Sequence, residues 1–205
     1  MSKNKYSGQG EDQQMYEYQQ GLSIVGSSRR NGDRQIRDFY PTPPEATQAL
    51  LDREKFYGNV WECACGDGAI TKVLEKNGYD VISSDIYDYG CGYEQRDFIT
   101  HETYRPADNI ITNPPFKYAL EFVERAKQSS LFKIAMFLKT VFLESAVRYS
   151  MFMDTEYPLK CMYQFSKRVP IYKNGIQMKN SGLVAYAWFV WDINYKGKPY
   201  IEWII

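Results

Sequence analysis

Apolar and polar positions follow two rhythms along this chain, and each change of rhythm marks an element. Residues 1–36 are rich in Gln, Gly, Ser, Asn and charge, with 22–25 as the one short apolar run. That composition predicts a flexible polar arm ahead of a single domain over 37–205. Ala46, Ala49 and Leu50 recur at helical spacing, so a helix is expected from Pro43 or Pro44 to about Arg53, capped by Thr42 and with Glu45 in its first turn. A β-prone run over 60–63 passes through Gly66 and Gly68 into a second helix. Its Ile70, Val73 and Leu74 share a face, and Gly78 stops it. Further strands are expected over 80–84, ending near Asp97, and over 109–112 and 133–138. Helices should carry Leu120 and Val123 to about Lys127, and then span 141–152. Runs over 160–165, 184–191 and 200–204 complete the pattern. Strand and helix alternate up to residue 152 and strands follow one another afterwards. This predicts an α/β fold: a mostly parallel seven-stranded sheet, helices on both faces and an antiparallel C-terminal end.

Composition narrows the function classes. With 205 residues, 44% of them hydrophobic, the chain can build one proper core. Lys+Arg and Asp+Glu balance at 25 each, so a polyanion would have to meet a local patch rather than a global field. Such a patch exists. Between Glu156 and Asp192 there is no acidic residue, while Lys160, Lys167, Arg168, Lys173 and Lys179 fall in that stretch, concentrated in a loop over 166–182. Lys167, Arg168, Lys173 and Lys179 are therefore expected to contact nucleic acid. Arg29, Arg30, Arg34 and Arg37 are either a solvated charge run or an arm that touches phosphates. The four cysteines include no C-x-x-C pair, and His101 is the only histidine, so neither a zinc site nor a histidine-dependent nucleophile is expected. Reduced cysteines and the lack of a membrane-spanning run point to the cytoplasm.

Two stretches carry chemistry. In the first, strand, Gly66-x-Gly68, helix, strand and Asp85 follow in that order, with Asp85 17 residues past Gly68. Glycines let backbone approach a ligand closely, and an acid ending the next strand accepts from two ribose hydroxyls. The turn lacks the third glycine of a dinucleotide fingerprint and the Gly-Lys-Ser/Thr of a phosphate loop, which argues against NAD and ATP. In the second, a short strand ends at Asn113, followed by Pro114, Pro115 and Phe116. Ligands bind at the carboxyl ends of such strands. The Asn113 side-chain oxygen and the carbonyls of prolines, which lack local donors, make a rigid cluster of acceptors below an aromatic ring. That cluster suits a planar group bearing an NH₂.

Taken together, Glu62-Cys63-Ala64-Cys65-Gly66-Asp67-Gly68, Asp85, Asp97-Phe98 and Asn113-Pro114-Pro115-Phe116 resemble the motif series of class I S-adenosylmethionine-dependent methyltransferases, with a Rossmann-like fold. Phe39-Tyr40-Pro41-Thr42-Pro43 resembles the extra cofactor motif of N6-adenine DNA methyltransferases, above all the small phage and prophage type. The resemblance covers about residues 38–191 and implies roles position by position. Tyr40, Pro41 and Thr42 would line the methionine end of the cofactor, and Glu62, Ala64, Gly66 and Gly68 would form its floor. Asp85 would hold the ribose, Ile86 would lie against the adenine, Asp97 would accept from the cofactor's amino group and Phe98 would pack beside it. Asn113, Pro114, Pro115 and Phe116 would act on the target base. The implied partner is DNA, as a duplex with a flipped adenine, and a role in restriction–modification follows from the phage likeness. Larger members carry a separate target-recognition domain, for which these residues leave no stretch. RNA adenine or guanine, a protein glutamine, or a cofactor-binding module without turnover remain as alternatives.

Overall fold

The computed structural model describes residues 40–101, 106–170 and 184–205, with the backbone of 172–173 and 176–177. The expected arm, Arg37 and Lys179 lie outside these residues, as does the side chain of Lys173.

Eight strands form one sheet. In chain order they are β1 (Val60–Glu62), β2 (Val81–Asp85), β3 (Glu94–Gln95), β4 (Ala107–Thr112), β5 (Ser130–Lys139), β6 (Leu159–Phe165), β9 (Tyr186–Asp192) and β10 (Tyr200–Ile204). The short hairpin of β7 (Tyr172–Lys173) and β8 (Ile176–Gln177) stands apart. The sheet order is β10-β6-β9-β5-β4-β1-β2-β3. From β3 to β5 every pairing is parallel, and β9 inserts antiparallel between β5 and β6. The sheet has eight strands rather than seven, and β10, expected from the run over 200–204, runs opposite to β9 and pairs on the far side of β6, parallel to it.

Helices cover both faces. Ala46, Leu50 and Leu51 of α1 (Pro44–Leu51) and Ile70, Val73 and Leu74 of α2 (Ala69–Lys76) join one core with Val60, Ile111, Phe137 and Trp188. Phe122, Val123 and Ala126 of α3 (Ala119–Ser129) join the other with Trp61, Ile110, Met136 and Phe189. The central strands are buried on both sides, which is why β9 reads as a continuous apolar run rather than an alternating one. Each fully buried aliphatic side chain of these cores contributes about 1.5–3 kcal/mol.

Two local expectations change. Thr42 does not cap α1; Pro43 stands at the cap position with no side-chain bond. The helix expected over 141–152 is broken into 3₁₀ turns, Thr140–Leu143 and Ala146–Arg148, and one α turn, α4 (Tyr149–Phe152). Side chains take the backbone groups that a helix would use. Arg148 donates from Nε to Phe142 O (2.7 Å) and from Nη2 to Glu144 O (2.9 Å), and Ser145 Oγ accepts from the Val147 N–H (3.2 Å).

Candidate active site

The carboxyl ends of β1, β2 and β4 lie side by side, because these strands are adjacent and parallel. Trp61 pairs with Ile110 and Glu62 with Ser83. The same registers continued by two or three residues bring Asp85 and Asn113 to opposite sides of the start of the glycine turn. They then stand about two strand spacings, roughly 10 Å, apart. The acid and the amide therefore flank the start of the glycine turn at the carboxyl end of the sheet.

The turn is built by its glycines. Gly66 and Gly68 have φ of 53° and 77°, a left-handed conformation that other residues resist. The Gly66 N–H donates to Asp85 Oδ2 (2.9 Å) and the Tyr87 N–H to Asp85 Oδ1 (3.0 Å), so Asp85 locks the turn to the end of β2. Each oxygen keeps a second lone pair for a ligand. A side chain at Gly68 would run into the Tyr93 ring, a neighbour from a loop with no readable pattern. Asp67 Oδ1 is buried without a hydrogen-bond partner among the described residues. Ile86, next to Asp85, is 47% exposed.

Beneath the turn, the Glu62 carboxylate accepts from the Thr71 N–H (2.7 Å) and from the Thr71 hydroxyl, which in turn lies 2.7 Å from Ser83 Oγ. Burial, outweighing those bonds and aided by Asp67 and Asp85, pushes the Glu62 carboxyl up to about 8. Folded protein thus holds a proton that the unfolded chain releases, so stability should fall as pH rises from about 4.5 to about 8. Glu62→Gln should flatten this slope. Thermal melts of both proteins at the ends of that window check it, and equal slopes would exclude Glu62 as the source.

Asn113 is tied down on the opposite side. Its Nδ2 donates to Tyr40 O (3.1 Å) and to Thr42 Oγ1 (3.0 Å). Thr42 is 3% exposed, and the segment it belongs to is anchored where Trp188 Nε1 donates to Ala46 O (2.7 Å) in the first turn of α1. With both amide hydrogens engaged, the Asn113 oxygen is the end of the group left to receive a donor. The motif upstream at 40–43 and the motif at 113–116 are thereby one physical unit. The prolines differ from each other: the Pro115 carbonyl accepts from the Tyr118 N–H (2.9 Å), which corrects the expectation that both carbonyls lack local donors. Pro114 is buried.

Three expected roles meet a different environment. Phe98 is 3% exposed and packs edge-on against Trp61 (5.1 Å between centroids) and with a tilted ring against Phe122 (5.1 Å), within the core. Asp97 builds its own turn, accepting from the Ile99 N–H (2.9 Å) and from Thr100 Oγ1 (2.6 Å). Burial works to raise its pKa, but those bonds outweigh it and hold the carboxyl below its ordinary value. Phe116 is half-buried, its ring 5.7 Å from Tyr186 and with Lys139 Nζ 4.4 Å over it. Neither Lys139 nor Tyr186 was singled out in the sequence, since each lies at the end of an apolar strand where it passes for core or flank. Lys167 and Arg168 are exposed. Among the described residues no group of three or more His, Cys, Asp or Glu could hold a metal ion, and no helix is long and apolar enough to cross a membrane.

Compared with known proteins, the sequence matches no family model and no curated protein. Its fold does match solved structures. A candidate RNA methyltransferase from Pyrococcus horikoshii superposes with a TM-score of 0.59 at 12% identity, over 87% of this chain and 98% of that one. The modification subunit of a candidate type I restriction enzyme from Vibrio vulnificus gives 0.54 at 13% identity. It covers 98% of this chain, which spans only 53% of that subunit. Magnesium protoporphyrin IX methyltransferase from Synechocystis, with bound S-adenosylmethionine, gives 0.50 at 10% identity, over 93% and 86%. At these identities the likeness is one of fold: the Rossmann-like, mostly parallel sheet with antiparallel C-terminal strands on which these methyltransferases are built.

Proposed function

We propose that the chain is an S-adenosylmethionine-dependent methyltransferase acting on the exocyclic N6 amino group of adenine in DNA. The observation that carries this is the Asn113 carboxamide, whose NH₂ is held by Tyr40 O and Thr42 Oγ1 so that its oxygen is left to receive a donor. The residues around the glycine turn fit a nucleoside cofactor: positive-φ glycines, a carboxylate at the end of β2, the exposed Ile86 and the buried unpaired Asp67 Oδ1. Bound there, the cofactor would supply an electrophilic methyl on a sulfonium, and its positive charge would favour the ionised form of Glu62.

The chain's own task is positioning. An adenine amine is a poor nucleophile because its lone pair is delocalised into the ring. Acceptors at the Asn113 oxygen and the Pro114 carbonyl, taking both N–H bonds, draw the nitrogen towards a tetrahedral shape and free the pair for attack. As the N–CH₃ bond forms, the S–CH₃ bond would break to leave a neutral thioether. The methylated nitrogen, now a strong acid, would lose its extra proton to water. Fixed acceptors favour this without reorganisation, and no histidine base is needed. In duplex DNA the base must first leave the stack. Phe116, Tyr186 and Lys139 form the aromatic and cationic wall it would meet.

Asp85 has two jobs here, holding Gly66 and holding the ribose. Asp85→Ala should therefore weaken cofactor binding at least about tenfold, the effect of losing a hydrogen bond to a charged group. Calorimetry with S-adenosylmethionine measures this, and an unchanged dissociation constant would remove Asp85 from the site.

RNA is the second reading. It is favoured by the likeness to the Pyrococcus protein and, at a TM-score of 0.54 and 14% identity over 78% and 71%, to a 23S rRNA methyltransferase. The 40–43 motif and its tether to Asn113 favour DNA. Transfer of labelled methyl to unmethylated duplex DNA, ribosomal RNA and protein decides between them. Label in DNA alone supports the proposal, and label in RNA or protein alone overturns it.

A further inference from the structure

A cavity of about 380 Å³ opens one ring away from Asn113-Pro-Pro-Phe116, and none of the residues expected to hold the cofactor lines it. Its lining includes Phe165, Lys167, Arg168, Ala185, Tyr186 and Trp203. Tyr186 is the shared wall, since its ring also packs 5.7 Å from Phe116. Thr140 N–H donates to Ala185 O (3.0 Å), which fixes the cavity to the end of β5 beside Lys139.

The chemistry of this lining is unusual for its place in the fold. Of the four tryptophans, Trp61, Trp188 and Trp191 are at most 4% exposed, whereas Trp203 is 66% exposed on the edge strand β10. A large indole held in water beside two exposed cations, Lys167 and Arg168, which come from the acid-free stretch between Glu156 and Asp192, is a combination that suits single-stranded nucleic acid. Every base has a π-face to stack on an aromatic ring, and the phosphates need a local positive groove. The volume lies at the small end of the range of about 300–1,000 Å³ found for small-molecule sites, enough for a nucleotide unit but not for a duplex.

We infer that this cavity is a nucleotide subsite. It takes an unpaired nucleotide next to the target in the substrate strand, with the base against Trp203 and a phosphate on Lys167 and Arg168. The subsite rests on the proposed function, since the strand that fills it is the one whose adenine enters the Asn113 site. Holding a neighbouring unpaired nucleotide would keep the target base out of the stack and supply selectivity without a separate recognition domain.

Because Trp203 is the exposed tryptophan, its own fluorescence reports the contact. Titrating the full chain with a single-stranded oligodeoxynucleotide containing adenine should quench tryptophan emission. Trp203→Ala should abolish the quench and weaken binding about tenfold or more. The double change Lys167→Gln, Arg168→Gln should weaken binding and lower the slope of log affinity against log salt by about one to two. All three positions are exposed, so both variants should bind S-adenosylmethionine as wild type does, and should raise KM for DNA more than they lower kcat. Oligonucleotide affinity within about twofold of wild type in both variants overturns the subsite. If DNA is still methylated in that case, the proposed function stands; if no DNA is methylated by wild type, the proposed function falls by itself.

Discussion

Replacing Asn113 by alanine should lower methyl transfer by at least about 10²–10³-fold, the loss expected when one preorganised hydrogen bond at a reacting centre is removed. Cofactor affinity should fall far less than transfer does, because the glycine turn and Asp85 are untouched and only the two tethers to the 40–42 segment are lost. The amide also holds Tyr40 and Thr42, so a second variant separates its two ends. Thr42→Val removes one tether and leaves the Asn113 oxygen, and should cost about tenfold in transfer, in line with the loss of one net hydrogen bond. Single-turnover transfer and calorimetry measure the two quantities separately. Loss of cofactor binding in Asn113→Ala, in step with loss of transfer, would contradict the role given to the oxygen.

Glu54→Ala should be the most damaging change to stability among the polar residues, by about 3 kcal/mol or more. Glu54 is 3% exposed and binds Lys133 (2.8 Å), Lys160 and the Tyr163 hydroxyl (3.0 Å), joining the end of α1 to β5 and β6. Removing the carboxylate leaves two half-buried ammonium groups with part of their compensation gone, although Lys133 keeps Asp192 at 3.7 Å. Burial works to raise the Glu54 pKa, but the bonds and charges of Lys133 and Lys160 outweigh it and hold the carboxyl below its ordinary value. A group lowered in this way stabilises the fold above the unfolded-state value of about 4.5, and that stability is lost as pH falls through the folded value. The midpoint of thermal unfolding at neutral pH should drop by roughly 6–12 °C. A drop of under about 2 °C would mean that the lysines find water at no cost.

Much of this was legible in the sequence for identifiable reasons. The parallel half of the sheet could be placed because β1, β4 and β5 carry apolar residues (Val60 and Trp61, Ile110 and Ile111, Ile134 to Leu138) and are separated by helices with clear faces, such as Ile70, Val73 and Leu74 in α2. The glycine turn and its contact with Asp85 could be placed because a Gly-x-Gly after one strand and an acid at the end of the next follow in order in the sequence. What escaped depended on contacts distant in sequence. Nothing local says that Thr42 serves Asn113, 71 residues on, rather than capping the helix that follows it. Phe98 looked like a cofactor neighbour by its place after Asp97, but an aromatic beside Trp61 and Phe122 gains more from the core. The broken helix over 141–152 shows the limit of periodicity: Val141, Leu143 and Val147 are apolar but exposed, and Arg148 takes the carbonyls. The parallel placement of β10 depends on which edge the last strand reaches, and its pattern of apolar residues is the same on either.

The most direct measurement of the central claim, that Asn113 presents an amino nitrogen to a bound methyl donor, is where the methyl goes. Unmethylated DNA is incubated with the full chain and S-adenosylmethionine carrying a deuterated methyl, then digested to nucleosides for mass spectrometry. The label is predicted on the exocyclic N6 of adenine. Label on a ring carbon, a ring nitrogen or a ribose oxygen would contradict it, since none of those atoms offers two N–H bonds to the Asn113 oxygen and the Pro114 carbonyl.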